Sequence, residues 1–357
     1  MEIGIVGLPN VGKSSLFNAL TGAGVAAQNF PFTTIEPNVG VVPLPDDRLN
    51  FLAGKFNSKK IVPDGIRFVD IAGIVKGASQ GEGLGNKFLS HIRSVDAIAH
   101  VVRCFRDENV INVMGDLNPI SAIEIIEMEL LLADLQQAQK GMEKAQKNAK
   151  SGQEKDKEKL ILVEGIVKAF EQGKSAREQK IPKEIMDEFQ FLTGKPILYV
   201  ANTDEGGADP LMLKAIQEHA KKENAEVICL CTKLEAEIVE LPIEERNSYY
   251  EAAGITSPGL ATLAQAGRRL LGLVCFFTAG EQESRAWLIR QGTTAQKAAG
   301  KIHTDIERGF IRAETYKYDD LVRLGSHQAI QQNGLVALEG KDYEVKEGDV
   351  IYFRFSV

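Results

Sequence analysis

The sequence predicts an α/β protein with a largely parallel sheet, an inserted α-helical coiled-coil hairpin and a C-terminal β-grasp domain. Three observations carry that expectation. Short β-rich runs at 3–6, 66–70 and 97–103 alternate with helical stretches at 14–21 and 84–94, the pattern of βα units winding a parallel sheet. Around Asn118-Pro119 the composition shifts to Glu, Lys, Gln, Ala and Leu, with apolar residues at helical spacing as far as Phe191. Past Leu273, strand-like runs surround a single helical stretch.

Within the middle segment the apolar positions Ile123, Ile126, Leu130 and Ala133, then Leu160, Val163, Val167 and Phe170, step by threes and fours. Two helices facing each other along that seam are predicted, turning near Lys150-Ser151-Gly152. The tip carries Lys140, Lys144, Lys147, Lys150, Lys155, Lys157 and Lys159 against Glu143, Glu154, Asp156 and Glu158, which reads as a solvated helix surface. Strand signals resume at Pro196–Ala201 and Glu226–Cys231, so the hairpin interrupts the α/β domain. The last unit has strand-like runs at 274–278, 287–289, 311–315 and 350–355 and one helical stretch near 295–307, mixed strands over a single helix. The expected domains are therefore 1–117 with 196–272, an inserted hairpin at 118–195, and a C-terminal domain at 273–357.

Composition excludes several classes. With 44% hydrophobic and 25% charged residues in 357, the chain reads as a globular protein of two or three units. No apolar run approaches the roughly 20 residues that span a bilayer, and no signal peptide precedes the first strand, so the cytoplasm is the expected location and no membrane is involved. A net charge of −7 argues against a globally basic nucleic-acid binder. Cys104, Cys229, Cys231 and Cys275 show no CxxC spacing and read as reduced, buried thiols; neither zinc nor a disulfide is expected.

The chemistry begins at Gly7-Leu8-Pro9-Asn10-Val11-Gly12-Lys13-Ser14, which fits G-x-x-x-x-G-K-[ST] between a strand and a helix. Backbone N–H groups of Asn10, Val11, Gly12, Lys13, Ser14 and Ser15 are candidates for cradling phosphates, Lys13 for reaching the terminal ones, and the Ser14 hydroxyl for ligating Mg²⁺. Asp70-Ile71-Ala72-Gly73 ends the next strand, where Asp70 can hold the metal through water and the Gly73 N–H can face a γ-phosphate. Thr34, in Phe30-Pro31-Phe32-Thr33-Thr34-Ile35-Glu36-Pro37-Asn38, is placed to close a lid on the metal. Together these are the elements of a nucleotide-dependent switch. His91 and His100 are read as structural.

These motifs, with the glycine-dense Gly77-Ala78-Ser79-Gln80-Gly81-Glu82-Gly83-Leu84-Gly85-Asn86 and with Asn202-Thr203-Asp204-Glu205, resemble the Obg-related, YchF-type ATPases over essentially the whole chain. The resemblance implies a P-loop NTPase G domain of Obg type, the inserted hairpin, and a C-terminal TGS domain, carried by Lys297-Ala298-Ala299-Gly300-Lys301-Ile302-His303-Thr304-Asp305 and Gly348-Asp349-Val350. It also implies association with ribosomes or their RNA, through the hairpin and the TGS domain. A monomer is the expected state.

The base-reading stretch departs from the guanine pattern Asn-Lys-x-Asp, whose carboxylate takes two hydrogen bonds from the guanine edge. Here Thr203 replaces the lysine and Glu205 the aspartate. One extra methylene spoils the bidentate geometry, and each bond lost to a charged acceptor costs about 1.5–3 kcal/mol, roughly one to two decades of guanine preference. Asn202 could serve adenine, its amide oxygen accepting from N6–H₂ or its NH₂ donating to N7. ATP over GTP is expected, with Glu205 as a tolerated variant in a GTPase standing as the alternative.

Two features bear on hydrolysis. Ile74 follows Gly73 where Ras-like proteins place the glutamine that orients water, so unaided turnover should be slow. The resemblance implies a loop histidine as substitute, and the matching position here is Asn112, which can hydrogen-bond water but cannot act as acid or base. For Asn10 two readings stand: it accompanies a K⁺ ion that supplies charge at the phosphates, as the resemblance implies, or it braces the loop. Lys13, Asn10, Gly73 and Asn112 are thus the catalytic candidates. Three functions remain open: an ATPase switch, a nucleotide-gated binding module in which hydrolysis is incidental, and a conventional GTPase.

Overall fold

The computed structural model describes residues 1–25, 38–71, 84–107, 117–150, 152–255 and 257–356. In chain order the elements are β1 (Glu2–Val6), α1 (Lys13–Val25), β2 (Val39–Pro43), α2 (Asp47–Phe56), β3 (Lys60–Val62), β4 (Gly65–Asp70), α3 (Leu84–Ser94) and β5 (Ala97–Arg103). Then come α4 (Pro119–Ala149), α5 (Glu154–Glu171), α6 (Lys183–Phe189), β6 (Ile197–Asn202), α7 (Pro210–Lys222), β7 (Glu226–Leu230), α8 (Thr232–Glu240), α9 (Ile243–Ala252) and α10 (Gly259–Leu270). The chain ends with β8 (Leu273–Ala279), β9 (Glu283–Arg290), α11 (Ala295–Ile302), α12 (Thr304–Arg308), β10 (Phe310–Lys317), α13 (Tyr318–Leu324), α14 (His327–Gln332), β11 (Ala337–Glu339) and β12 (Asp349–Phe355). Two compact units result, one built on Met1–Ala23 and Arg67–Ala266, the other on Val41–Ile66 and Gly267–Val357. Among the described residues, no helix is long and apolar enough to cross a membrane.

The first unit is organised by a sheet of order β2-β4-β1-β5-β6-β7, in which β4-β1-β5-β6-β7 pair in parallel. Every residue of β6 and all but the last of β5 are buried, as they must be when helices cover both faces. The strands therefore read as continuous apolar runs, which is why they were visible in the sequence. Their carboxyl ends lie on one edge, the edge where open α/β sheets bind ligands.

The hairpin turns where expected, after Ala149, and Val163, Val167 and Phe170 form the α5 side of its seam as predicted, but the α4 side is a different one. Leu131 and Ala138, with Leu135 and Met142 beside them, join Val163, Ile166, Val167 and Phe170 of α5 in one apolar cluster. Ile123, Ile126, Leu130 and Ala133 are buried too, yet lie outside that cluster; α4 also packs against β5 and α7. One residue is about 100° of turn, so a long helix presents neighbouring stripes to two different partners. Asp134, 1% exposed, ties α4 to the turn that precedes β6: its carboxylate accepts from Leu192 N, Thr193 N and the Thr193 hydroxyl at 2.6–2.8 Å.

The second unit departs more from expectation. Its sheet runs β11-β10-β12-β8-β9-β3, and β3, from the segment expected in the first domain, pairs in parallel with β9. Helix α2 packs on β8 and β9, capped at its start by the Asp46 carboxylate and at its end by Asn57 in the left-handed conformation. In place of one helical stretch there are two short helices divided at His303, and two more between β10 and β11. The core stacks Phe276 on Trp287, sets Phe353 edge-on to Phe276, and closes over Ala295, Ala298 and Ala299 of α11.

Glu347 is the polar fastening of this unit. It accepts from Arg48 at 2.6 Å, Arg268 at 2.5 Å and Cys275 N at 2.8 Å. Burial pushes its carboxyl up, but the Cys275 N–H and the two guanidiniums outweigh that and hold it below the usual range. A depressed carboxylate stabilises the fold above its unfolded pKa of about 4.3 and loses that contribution as pH falls through the folded value. Glu347→Gln is expected to cost about 1–2 kcal/mol at pH 7, discounted for partial exposure. Denaturant melts should find the gap from wild type closing below about pH 4; a gap constant with pH would refute the assignment.

Candidate nucleotide-binding site

The glycine-rich turn leaves β1 and enters α1 with Asn10 at φ 62° and Gly12 at φ 99°, two left-handed residues in three. Gly12 is required by space as well as by φ. A Cβ there would lie 2.2 Å from Asn202 Nδ2 and 2.8 Å from Thr232 Oγ1. The Asn202 carboxamide, 3% exposed at the end of β6, donates to Val11 O at 2.9 Å and accepts from Thr232 N at 3.0 Å. One side chain thereby fixes the phosphate loop to the ends of β6 and β7.

Above this brace lies a cavity of about 910 Å³. Asn10, Gly12, Lys13, Ser14 and Ser15 line one end; Asn202, Thr203, Asp204 and Glu205 line the other. The structure thus brings together all the described loop and base-reading candidates except Val11, whose side chain is 5% exposed and whose carbonyl is taken by Asn202. Of the two adenine contacts foreseen for Asn202, each keeps capacity beyond the brace: the oxygen that accepts from Thr232 N–H has a second lone pair for N6–H₂. One Nδ2 hydrogen is left for N7. Thr34, Gly73 and Asn112 lie outside the described residues.

Lys13 Nζ donates to Leu8 O at 2.7 Å. Burial lowers its pKa, and the Asp70 carboxylate at the end of β4 works against that. Asp70 mirrors it, raised by burial and drawn back by Lys13. Each charge is short of partners in a site that would receive a polyanion and a divalent cation. The Ser14 hydroxyl and the Asp70 carboxylate are an all-oxygen donor pair, which suits Mg²⁺.

The cavity has walls that the sequence reading missed: Phe105, Arg106 and Asp107 after β5, and Cys231, Thr232 and Lys233 after β7. Both segments follow predicted strands, and position at the carboxyl end of a parallel strand was the signal available. Arg103 stacks over the Phe105 ring at 4.6 Å and donates to Phe105 O and Asp107 O, fixing that wall. Lys233 Nζ meets Glu205 Oε1 at 3.2 Å; with side chains 71% and 62% exposed, solvent screens the pair and leaves Glu205 free to turn. The cysteines also differ from expectation. Cys104 and Cys275 are buried, but Cys229 is exposed on the edge strand β7 and Cys231 is half-buried. All four are free.

Residues 2–203 match the family model described as 50S ribosome-binding GTPase, and residues 273–356 match the model for the C-terminal domain of YchF GTPases, described as a protein of unknown function. The chain is 52% identical to the ribosome-binding ATPase YchF of Bacillus subtilis, with all of both chains covered. To the protein of that name from Escherichia coli O157:H7 it is 48% identical, over 100% of this chain and 99% of the relative. Among solved structures, the Schizosaccharomyces pombe YchF GTPase superposes with a TM-score of 0.87 at 34% identity, covering 99% of this chain and 97% of that one.

Proposed function

The chain belongs to the YchF family, and from that premise we propose that it is a slow, Mg²⁺-dependent ATPase that prefers ATP to GTP and couples the nucleotide cycle to ribosome binding. The relatives' names divide between ATPase and GTPase, so the base end of the cavity has to decide. The observation that carries the reading is Glu205 itself, lining the base end of the cavity with a carboxylate one methylene longer than a guanine reader needs. Thr203 reinforces it, being 7% exposed with no long cationic stem to lay along a purine. The Asn202 Nδ2 hydrogen left over from the brace suits adenine N7, and Phe105 provides an apolar wall for the base.

At the other end, Mg²⁺ would be held by Ser14 and, through water, Asp70, where it supplies positive charge to the β- and γ-phosphates. Lys13 shifts from Leu8 O to the terminal phosphates, and the N–H groups of the turn and the α1 N-terminus orient them. A K⁺ ion beside Asn10 is part of the same reading, as are Thr34 and Gly73 as switch contacts. Turnover is slow because Ile74 can neither donate to nor accept from the attacking water.

Calorimetry on nucleotide-free protein tests the preference, with ATP expected to bind at least about tenfold more tightly than GTP. GDP held more tightly than ADP would sink it. Ribosomal subunits should be retained at physiological salt only with one nucleotide state; retention that vanishes on modest salt addition would mark nonspecific phosphate attraction instead.

A further inference from the structure

The first unit holds a second cavity, about 330 Å³, which shares no lining residue with the nucleotide cavity and is walled by α4, β5, β6 and the segment 173–178. At its edge Glu127 from α4, and His219 and Glu223 from the end of α7, each offer a ligand atom, all within 4.8 Å of one another. His219 and Glu223 are four residues apart and so share a helix face. Glu127 Oε1 lies 2.9 Å from His219 Nε2, and the Tyr199 hydroxyl lies 2.8 Å from Glu127 Oε1 and 2.6 Å from Glu223 Oε2. That hydroxyl has one hydrogen for two carboxylates. Arg177 holds the other Glu223 oxygen at 2.8 Å.

A separate observation points into the same cavity. His100 on β5 lines it, is 1% exposed, and its Nδ1 has no hydrogen-bond partner. Burial keeps the ring neutral, with its pKa pushed down to about 4. A neutral imidazole with an unused nitrogen thus faces a cavity otherwise rimmed by Glu124, Glu127, Glu178 and Glu223 against Arg177.

We propose that Glu127, His219 and Glu223 form a binding site for a divalent transition-metal ion of the zinc class, opening onto the cavity that His100 lines. Imidazole with carboxylates selects zinc-like ions over Mg²⁺ or Ca²⁺, and three protein ligands leave a position for water or a bound group. Tyr199, bonded to both carboxylates, and Arg177, on the other Glu223 oxygen, hold them in place, as supporting hydrogen bonds do at metal centres. This departs from the expectation of no zinc, which rested on cysteine spacing alone. An ion here fastens the root of the hairpin to the helix that follows the base-reading segment.

The test is a ZnCl₂ titration of EDTA-stripped, full-length protein in excess MgCl₂, which occupies the oxygen-donor phosphate site. Calorimetry and elemental analysis should find one zinc per chain, and Co²⁺ should develop a visible absorption band. His219→Ala and Glu223→Gln should each weaken zinc binding by at least about tenfold and abolish the band. Glu223→Gln keeps its oxygen as acceptor for Arg177 and can donate its NH₂ to the Tyr199 oxygen, whose hydrogen stays with Glu127, so it remains decisive if His219→Ala fails to fold. Substoichiometric zinc, or affinity unchanged in the folded variants because the ion sits on exposed donors such as His303 and Asp305, overturns the proposal.

Discussion

Replacing Lys13 by Met should lower ATP turnover about 10²–10³-fold, the loss seen when one charge-stabilising donor leaves a transition state. Stability should change little, staying within about 1 kcal/mol of wild type. The two halves of this expectation come from one geometry. Lys13 Nζ rests on Leu8 O and its ammonium is desolvated, with Asp70 as its opposing charge. Met fills the same stem volume, forfeits one hydrogen bond, and relieves the burial of a charge that has only a partial partner. Single-turnover hydrolysis beside a thermal melt in the absence of nucleotide separates the effects. Retained turnover would remove Lys13 from the chemistry, and a large drop in melting temperature would make it a structural residue.

What could be read from the sequence follows the distance between partners along the chain. The phosphate end is one contiguous octapeptide, Gly7 to Ser14, flanked by its own strand and helix, so motif and context were visible together. The base end is assembled from residues 105–107, 202–205 and 231–233, brought side by side by the strand order β5-β6-β7. Only the middle piece carries a motif, and strand order is not a local property. The same reason hid the pairing of β3 with β9, more than 200 residues away, and hence the transfer of Val41–Ile66 to the second unit. It also hid the partnership of Glu127 with His219 and Glu223, although the four-residue spacing of the latter two was in plain sight. On the hairpin, Val163, Val167 and Phe170 of α5 were read correctly, but the α4 side of the seam was not: α4 has two apolar stripes, and periodicity alone does not say which faces α5.

Asn202→Ala is expected to destabilise the protein by about 2–6 kcal/mol, since it strands two buried backbone groups at about 1–3 kcal/mol each. Those groups are Val11 O and Thr232 N, on residues 5% and 2% exposed. The left-handed Gly12 makes the room that the carboxamide occupies, so no neighbour can swing in to replace it without moving the loop. Because the brace serves the phosphate loop more than the base, affinity for ATP and for GTP should fall together, by a similar factor. Glu205→Asp should do the reverse, leaving stability near wild type, because Glu205 is exposed, and shifting the GTP:ATP ratio toward GTP by about one to two decades per restored bond. Chemical denaturation and competition binding on both variants distinguish the roles. An Asn202→Ala protein that keeps its stability but loses ATP alone would make Asn202 the base reader, and would move nucleotide choice from the exposed carboxylate to the buried amide.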